Sequence, residues 1–275
     1  TDRTVTEYPF TDEERELFLG GKIMAAKIVY DNVTEKIDPL SPENMLVITT
    51  GPMNAVGAPC SSRFNCSTIS PLTGYYTSSN CGGDFGLHLK RAGLDGLIVT
   101  GKSEERIYLY ITPDGVEFKN ADALWGMKTG ETQQAIPEKG GKFVIGPAGE
   151  NLVKYACVIS GERAAGRGGV GAVFGSKNLK GIVAYGIKSP EVYDKEKLRK
   201  VNKEWTARLK MHPTTGTQLP ELGTAGLVTT MHSKNLLATN NYRSGKYEHF
   251  EDVSGETLRE EHLVRNSGCT TCPIR

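Results

Sequence analysis

A chain of 275 residues with 33 basic and 32 acidic side chains has a formal net charge of +1, which gives no global electrostatic reason to bind nucleic acid. Hydrophobic content of 38% and charged content of 24% describe an ordinary globular protein, and no apolar run reaches the roughly 20 residues that a transmembrane helix needs. The polar opening, Thr1-Asp2-Arg3-Thr4-Val5, lacks a secretory pattern, so a cytoplasmic location is expected, and Thr in place of Met suggests that the natural chain starts earlier.

The first predicted element is a short helix. Thr11-Asp12-Glu13-Glu14 is a capping box, and Gly20-Gly21 reads as the signal that ends it. From Met45 to Tyr185 the chain reads as β-rich, with short aliphatic and β-branched runs between Gly and Pro punctuation. The expected strands are Met45–Thr50, Leu97–Thr100, Ile107–Ile111, Phe143–Ile145, Ala156–Ile159 and Gly181–Tyr185. Phe85–Ala92 followed by Gly93 reads as a helix with a glycine C-cap, and Ala172–Leu179 suggests another. The texture changes after Lys188-Ser189-Pro190. Leu198, Val201, Trp205 and Leu209 then fall on one face of an amphipathic helix, and a second helical stretch is expected over Thr224–Leu237. The expected fold class is α+β, with a β-rich N-terminal domain over 1–189 and the beginning of a mainly helical domain over 190–275.

Two common phosphate motifs match, and both are discounted. Gly96-Leu97-Ile98-Val99-Thr100-Gly101-Lys102-Ser103 fits the phosphate-loop spacing, but Leu-Ile-Val-Thr favours a buried strand and no helix opens at the lysine. Gly166-Arg167-Gly168-Gly169-Val170-Gly171 fits the dinucleotide fingerprint, with Glu191 at a plausible distance for a ribose contact. The nearest expected strand ends at Ile159, too far back for the tight turn, so an NAD-binding Rossmann oxidoreductase stays as an alternative only.

Glycine is the compositional outlier: 32 residues, where average usage near 7% gives about 19. Six of the fifteen residues from Gly161 to Gly175 are glycine. Arg163 and Arg167 flank small residues there, and successive N–H groups in such turns form nests for oxyanions. An anion cradle and a close-packed turn both explain this, with Lys177 and Lys180 as solvated helix residues. A second unusual segment holds Arg63 amid small residues and Asn80 just before Cys81-Gly82-Gly83. Together they offer guanidinium, amide and backbone donors suited to a phosphate-bearing heterocycle. Cys60, Cys66, Cys81 and Cys157 have no regular spacing, whereas Cys269 and Cys272 form a C-x-x-C followed by Pro273, a metal or redox signal in a reducing compartment. His88, His212, His232, His249 and His262 are scattered, and none is assigned a catalytic role.

These blocks carry a family resemblance. Thr50-Gly51-Pro52, Arg63, Ser70-Pro71-Leu72-Thr73-Gly74, Asn80 with Gly82-Gly83 and Phe85-Gly86, then Ala92–Gly96, resemble the signature run of the aldehyde:ferredoxin oxidoreductases. The likeness continues through Ile145–Val153, Arg163–Val173, Gly175–Lys180, Leu222–Ala225 and Cys269–Ile274, and so covers nearly the whole chain. It implies a β-rich base for a tungsten (or molybdenum) bis-molybdopterin cofactor, Mg2+ bridging the pterin phosphates, and a [4Fe–4S] cluster. Carried over by position, Arg63, Asn80 and Gly82 match one set of pterin contacts. Arg163, Ala164, Gly166 and Arg167 match another and favour the cradle over the close-packed turn. Cys269 and Cys272 match the first two cluster ligands, with the third due immediately after Arg275.

The resemblance further implies oxidation of a small aldehyde to the carboxylic acid, with ferredoxin or an iron–sulfur electron-transfer subunit as acceptor. A homo-oligomer is compatible with it, whereas nucleic-acid and membrane partners are not expected. Within the family, a ring-reducing subunit like class II benzoyl-CoA reductase is the competing expectation, and a split subunit completed by another chain is a third.

Overall fold

The computed structural model describes residues 2–274, which divide into two compact units, one up to Tyr193 and one from Asp194 onward. The first unit opens with helix α1 (Asp12–Phe18), whose cap is the expected box: Thr11 Oγ1 accepts the Glu14 N–H at 3.2 Å, and Glu14 Oε2 accepts the Thr11 N–H at 3.0 Å. Gly20-Gly21 does more than end this helix. Gly21 begins a second one, α2 (Gly21–Asn32), that the glycine pair concealed. A side chain at Gly20 would meet the Thr50 carbonyl at 2.6 Å, so the chain turns this corner only with glycine.

Four strands, β1 (Leu46–Thr50), β2 (Phe64–Ile69), β3 (Tyr76–Cys81) and β4 (Gly96–Val99), form an antiparallel sheet in the order β3-β2-β1-β4. Helix α3 (Phe85–Arg91) follows β3. Six more strands make a second sheet: β5 (Ile107–Thr112), β6 (Gly115–Asn120), β7 (Gly141–Val144), β8 (Val158–Ser160), β9 (Arg163–Ala165) and β10 (Leu179–Ala184). Their order is β6-β5-β10-β7-β8-β9, with β10 parallel to β5 and antiparallel to β7. Helices α4 (Thr129–Ala135), α5 (Pro147–Glu150) and α6 (Val170–Ser176) connect its strands.

One core joins the two sheets. Phe64, Phe85, Phe143 and Phe174 are fully buried at its centre with ring centroids 4.9–5.5 Å apart, edge-on or tilted, an arrangement that contributes about 0.5–1.5 kcal/mol per pair beyond burial. A second cluster packs Met24, Ala25, Ile28 and Val29 of α2 against Met45 and Val47. This leaves β1 buried along its whole length.

The topology removes the nucleotide motifs. Gly96–Val99 is β4, a strand paired to β1, and leads to β5 rather than a helix. A strand does precede Gly166 directly, namely β9, where the sequence suggested a gap. Yet β7 and β8 lie between β9 and β10, so β9, α6 and β10 make no parallel crossover of the kind a dinucleotide fold requires.

In the second unit, α7 (Lys195–Met211) starts at Asp194, whose Oδ1 accepts the Lys197 N–H at 2.8 Å. Trp205 and Val201, on its apolar stripe, stay half exposed. The stretch expected as one helix over Thr224–Leu237 resolves into a tight turn at Gly223–Gly226 and a helix at Leu227–Ser233. Among the described residues no helix is long and apolar enough to cross a membrane.

Candidate functional site

The register of the β2–β3 hairpin gathers the first group of singled-out residues. Phe64 faces Cys81 and Asn65 faces Asn80, so Arg63 and Gly82 stand just beyond the last pair, at the same end. The segment leading to Arg63 is held from below by buried Asn54, which accepts the Gly51 N–H at 2.9 Å and donates to the Arg63 carbonyl at 3.2 Å. Arg63 and Asn80 are exposed, whereas Gly82 is buried and has only backbone to offer.

The second group lies on β9 and the turn that leaves it. β8 and β9 pair tightly, Ser160 with Arg163 and Val158 with Ala165. Arg163 is half-buried, and Ala164, Gly166 and Arg167 are exposed. β9 is the outer strand of its sheet and β3 of the other, and these two outer strands lie against each other. The Arg167 N–H donates to Ser79 Oγ on β3 at 3.1 Å. Gly83, at φ +86°, passes so close to Ser160 that a Cβ would lie 2.8 Å from its carbonyl oxygen. The two arginine-bearing turns, a hundred residues apart in sequence, therefore reach one seam.

Most of the glycine excess has a packing cause rather than a ligand cause. At Gly168, φ +71°, a Cβ would collide with the Thr77 side chain, and at Gly169, φ +70°, with the Lys154 carbonyl. Gly171 and Gly175 press on the carbonyls of Cys157 and Gly149. The close-packed turn, set aside on the sequence, is thus correct for these four. Gly166 differs: its nearest neighbours to a Cβ would be Cys157 Sγ at 3.7 Å and Ala164 Cβ at 3.9 Å, with open space otherwise. The expected helix begins at Val170 rather than Ala172, and its first free N–H groups are partly taken, since Gly171 N–H donates to the Ala156 carbonyl at 3.0 Å.

Both lysines read as solvated are buried. Lys180 belongs to β10, where it forms an ion pair with buried Glu150 and donates to the Met127 carbonyl at 3.0 Å. The other Glu150 oxygen accepts the Gly126 N–H at 2.8 Å. Lys177 follows α6 and donates to the carbonyls of Gly101 at 2.9 Å and Pro42 at 3.2 Å. Burial lowers its pKa to about 8, against a smaller opposing pull from Glu43. Burial likewise pushes the Cys66 thiol well above its ordinary value, with Cys81 adding to the shift.

The three arginines are the opposite case. Among the described residues no ion pair includes Arg63, Arg163 or Arg167. A guanidinium can only donate, and its planar fork matches phosphate and carboxylate oxygens two at a time. Three such groups, on neighbouring strand ends and turns, make a donor bank with no ion-pair partner among the described residues. In the second unit, the Cys272 N–H donates to the Cys269 carbonyl at 3.1 Å, a turn that puts both thiols within one short bend. Among the described residues no group of three or more His, Cys, Asp or Glu side chains is placed to hold a metal ion.

The sequence missed buried Asn54 and Ser79 and half-buried Thr77, which build this seam. Ordinary polar residues in a turn or a polar strand leave no signal to find them by.

Comparison with known proteins adds the lineage. Residues 1–186 match the family described as "Aldehyde ferredoxin oxidoreductase, N-terminal domain", and residues 200–275 match "Aldehyde ferredoxin oxidoreductase, domains 2 & 3". The tungsten-containing aldehyde ferredoxin oxidoreductase of Pyrococcus abyssi is 44% identical over 280 residues, covering 100% of this chain and 46% of the relative. The aliphatic sulfonate oxidoreductase WOR-like subunit of Pyrococcus furiosus is 33% identical, over 92% of this chain and 43% of its own length. The solved active-site complex BamBC of benzoyl coenzyme A reductase with 1,5-dienoyl-CoA superposes with a TM-score of 0.82 at 32% identity, covering 96% of this chain and 43% of that one. The chain spans about half the length of the curated relatives it matches. With family matches over residues 1–186 and 200–275, the chain belongs to the aldehyde ferredoxin oxidoreductase family.

Proposed function

We propose that the full protein oxidises an aldehyde to the carboxylic acid, and that this portion supplies the platform for its cofactor. Tungsten-containing relatives imply a tungsten–pterin cofactor. The donor set suits such a group: a pterin carrying phosphates presents oxyanions, and the arginines are cations with no ion-pair partner among the described residues. That unpaired bank is the observation that carries the reading.

In this proposal Arg63, Asn80 and backbone at Gly82 hold one side of the cofactor, and Arg163, Ala164, Gly166 and Arg167 hold the other. The guanidiniums neutralise the phosphates by paired hydrogen bonds, each charge-assisted contact contributing roughly 1.5–3 kcal/mol. Ala164 and Gly166 keep the surface free of bulk, so the backbone can approach the ring closely. Mg2+ between the phosphates, and Cys269 and Cys272 as two of the four ligands that a [4Fe–4S] cluster normally takes, belong to the same proposal. When bound, such centres supply the net change RCHO + H2O → RCOOH + 2H+ + 2e−, the electrons leaving singly for ferredoxin or an iron–sulfur partner subunit. Binding and orienting the cofactor is then the task of these residues, and the redox chemistry is the cofactor's. Molybdenum in place of tungsten, a cytoplasmic location and a homo-oligomer remain part of the proposal.

Metal and pterin analysis of the purified full-length protein, followed by aldehyde-dependent reduction of ferredoxin, tests it. Tungsten with pterin and aldehyde-dependent turnover is the expected result. Protein containing neither tungsten nor molybdenum overturns it. The benzoyl coenzyme A reductase likeness supports a second reading, a ring-reducing subunit. Loaded protein that ignores aldehydes but oxidises a cyclic dienoyl-CoA would select that one.

A further inference from the structure

We propose that Ser79 is a positioning residue for the cofactor cradle: its hydroxyl fixes the turn that carries Arg167. The inference rests on the cradle reading above and names a side chain outside the proposed contact set.

Ser79 is 2% exposed on β3, and by strand alternation it shares a face with Thr77 and Cys81, whereas Asn80 lies on the other. Three contacts join β3 and its exit to the β8–β9 hairpin and the turn after it. Thr77 fills the space that a side chain on Gly168 would need. Gly83 abuts Ser160. Between these, Ser79 Oγ accepts the Arg167 N–H. The two outer contacts are steric and set only how closely the segments approach. The central one is directional, because an N–H pointing at a fixed oxygen defines the peptide plane at Arg167 and thereby the direction from which its side chain leaves.

Without this acceptor the Arg167 peptide loses its directional hold, since the neighbours of Gly166 stand only at ordinary contact distance and the packing of Gly168 on Thr77 fixes closeness but not the orientation of the peptide before it. The guanidinium itself would be intact but no longer aimed. Arg167 is exposed and takes part in no ion pair among the described residues, so Ser79 is the contact that orders it.

The test compares Ser79→Ala, which removes the acceptor, with Ser79→Cys, which keeps the volume but accepts weakly, and Ser79→Thr, which keeps the hydroxyl. Each is made in the full-length protein, with pterin and tungsten per polypeptide, amide exchange at Arg167 and thermal stability as readouts. Exchange at Arg167 is expected to quicken up to about tenfold in the Ala and Cys variants, the range a single net hydrogen bond spans. Pterin content should fall with it, Thr should restore both, and the Cys variant provides the comparison if Ala fails to fold. Wild-type protein loaded with pterin, alongside Ala and Cys variants equally loaded and equally protected at Arg167, overturns this inference alone. Wild-type protein devoid of pterin overturns the proposed function and the cradle with it.

Discussion

Within two residues of Gly168 the chain changes character. From Arg163 to Arg167 it is largely exposed and donor-rich, and neither arginine joins an ion pair among the described residues, whereas from Gly169 to Ala184 it is buried at every position but Asn178. Both stretches carry cations, and their fates differ. Lys180 meets Glu150 and a carbonyl, and Lys177 meets two carbonyls, so their charges are satisfied inside the protein. Arg163 and Arg167 have no acidic partner in the described structure. The buried stretch thus spends its charges on the fold, whereas under the proposed function the exposed one offers them to the cofactor.

Substitutions on the two sides of that boundary should separate stability from cofactor loading. The largest loss of stability belongs to Lys180→Met, which leaves Glu150 buried with no counter-charge; about 3–5 kcal/mol is expected by denaturant unfolding. Adding Glu150→Gln should recover much of it, and a double variant no better than the single would break the account of a paired buried charge. Next comes Gly169→Ala. Its φ of +70° alone costs about 1–3 kcal/mol for an L-residue, and the clash with the Lys154 carbonyl adds to that.

Lys177 yields a pH effect. Its folded pKa lies near 8 and its ordinary value at 10.5, so below pH 8 both folded and unfolded chains hold the proton. Between these values the folded protein releases it first and the unfolded chain binds more protons. Stability therefore rises with pH across this window, by at most about 1.4 kcal/mol per pH unit. Lys177→Met should flatten that rise, and an unchanged slope would refute the assignment. The smallest stability effect is expected at Gly166→Ala, within about 0.5 kcal/mol, because only ordinary contacts await its methyl group. Its measurable consequence should be lower pterin content, and a variant with full pterin and full stability would show that Gly166 faces nothing.

How much of this was legible follows the same boundary. Strands such as Leu46–Thr50 and Ile107–Thr112 announce themselves, because a strand buried along most of its length is aliphatic, aromatic or β-branched throughout. β2 and β3 do not. β2 buries the polar Asn65 and Ser67 on one face, where side chains satisfy one another: Asn65 Nδ2 donates to Ser67 Oγ at 2.6 Å, Ser78 Oγ donates to Asn65 Oδ1 at 2.6 Å, and the Tyr76 hydroxyl lies 3.0 Å from Ser67 Oγ. Side chains that satisfy one another in this way read as a loop when taken one by one. Lys177 and Lys180 were misread for the same reason, since their acceptors come from residues 30 to 135 positions away. The arginines and small residues of the candidate site were visible because they are unusual where they stand. The supports beneath them, Asn54 and Ser79, depend on pairings that only the folded register creates.

The position of β10 sets the order in which the first unit is made. It is the last strand of the first unit in sequence, yet it lies between β5 and β7, and without it the hairpin of β5 and β6 has no bond to the meander of β7, β8 and β9. A growing polypeptide must therefore wait for Ala184 to leave the ribosome before the six strands can close, and a long-range parallel pairing of this kind is slow to form. The meander that carries the arginine turn is tied to β3 at Ser79, yet it joins the rest of its own sheet only once β10 is in place.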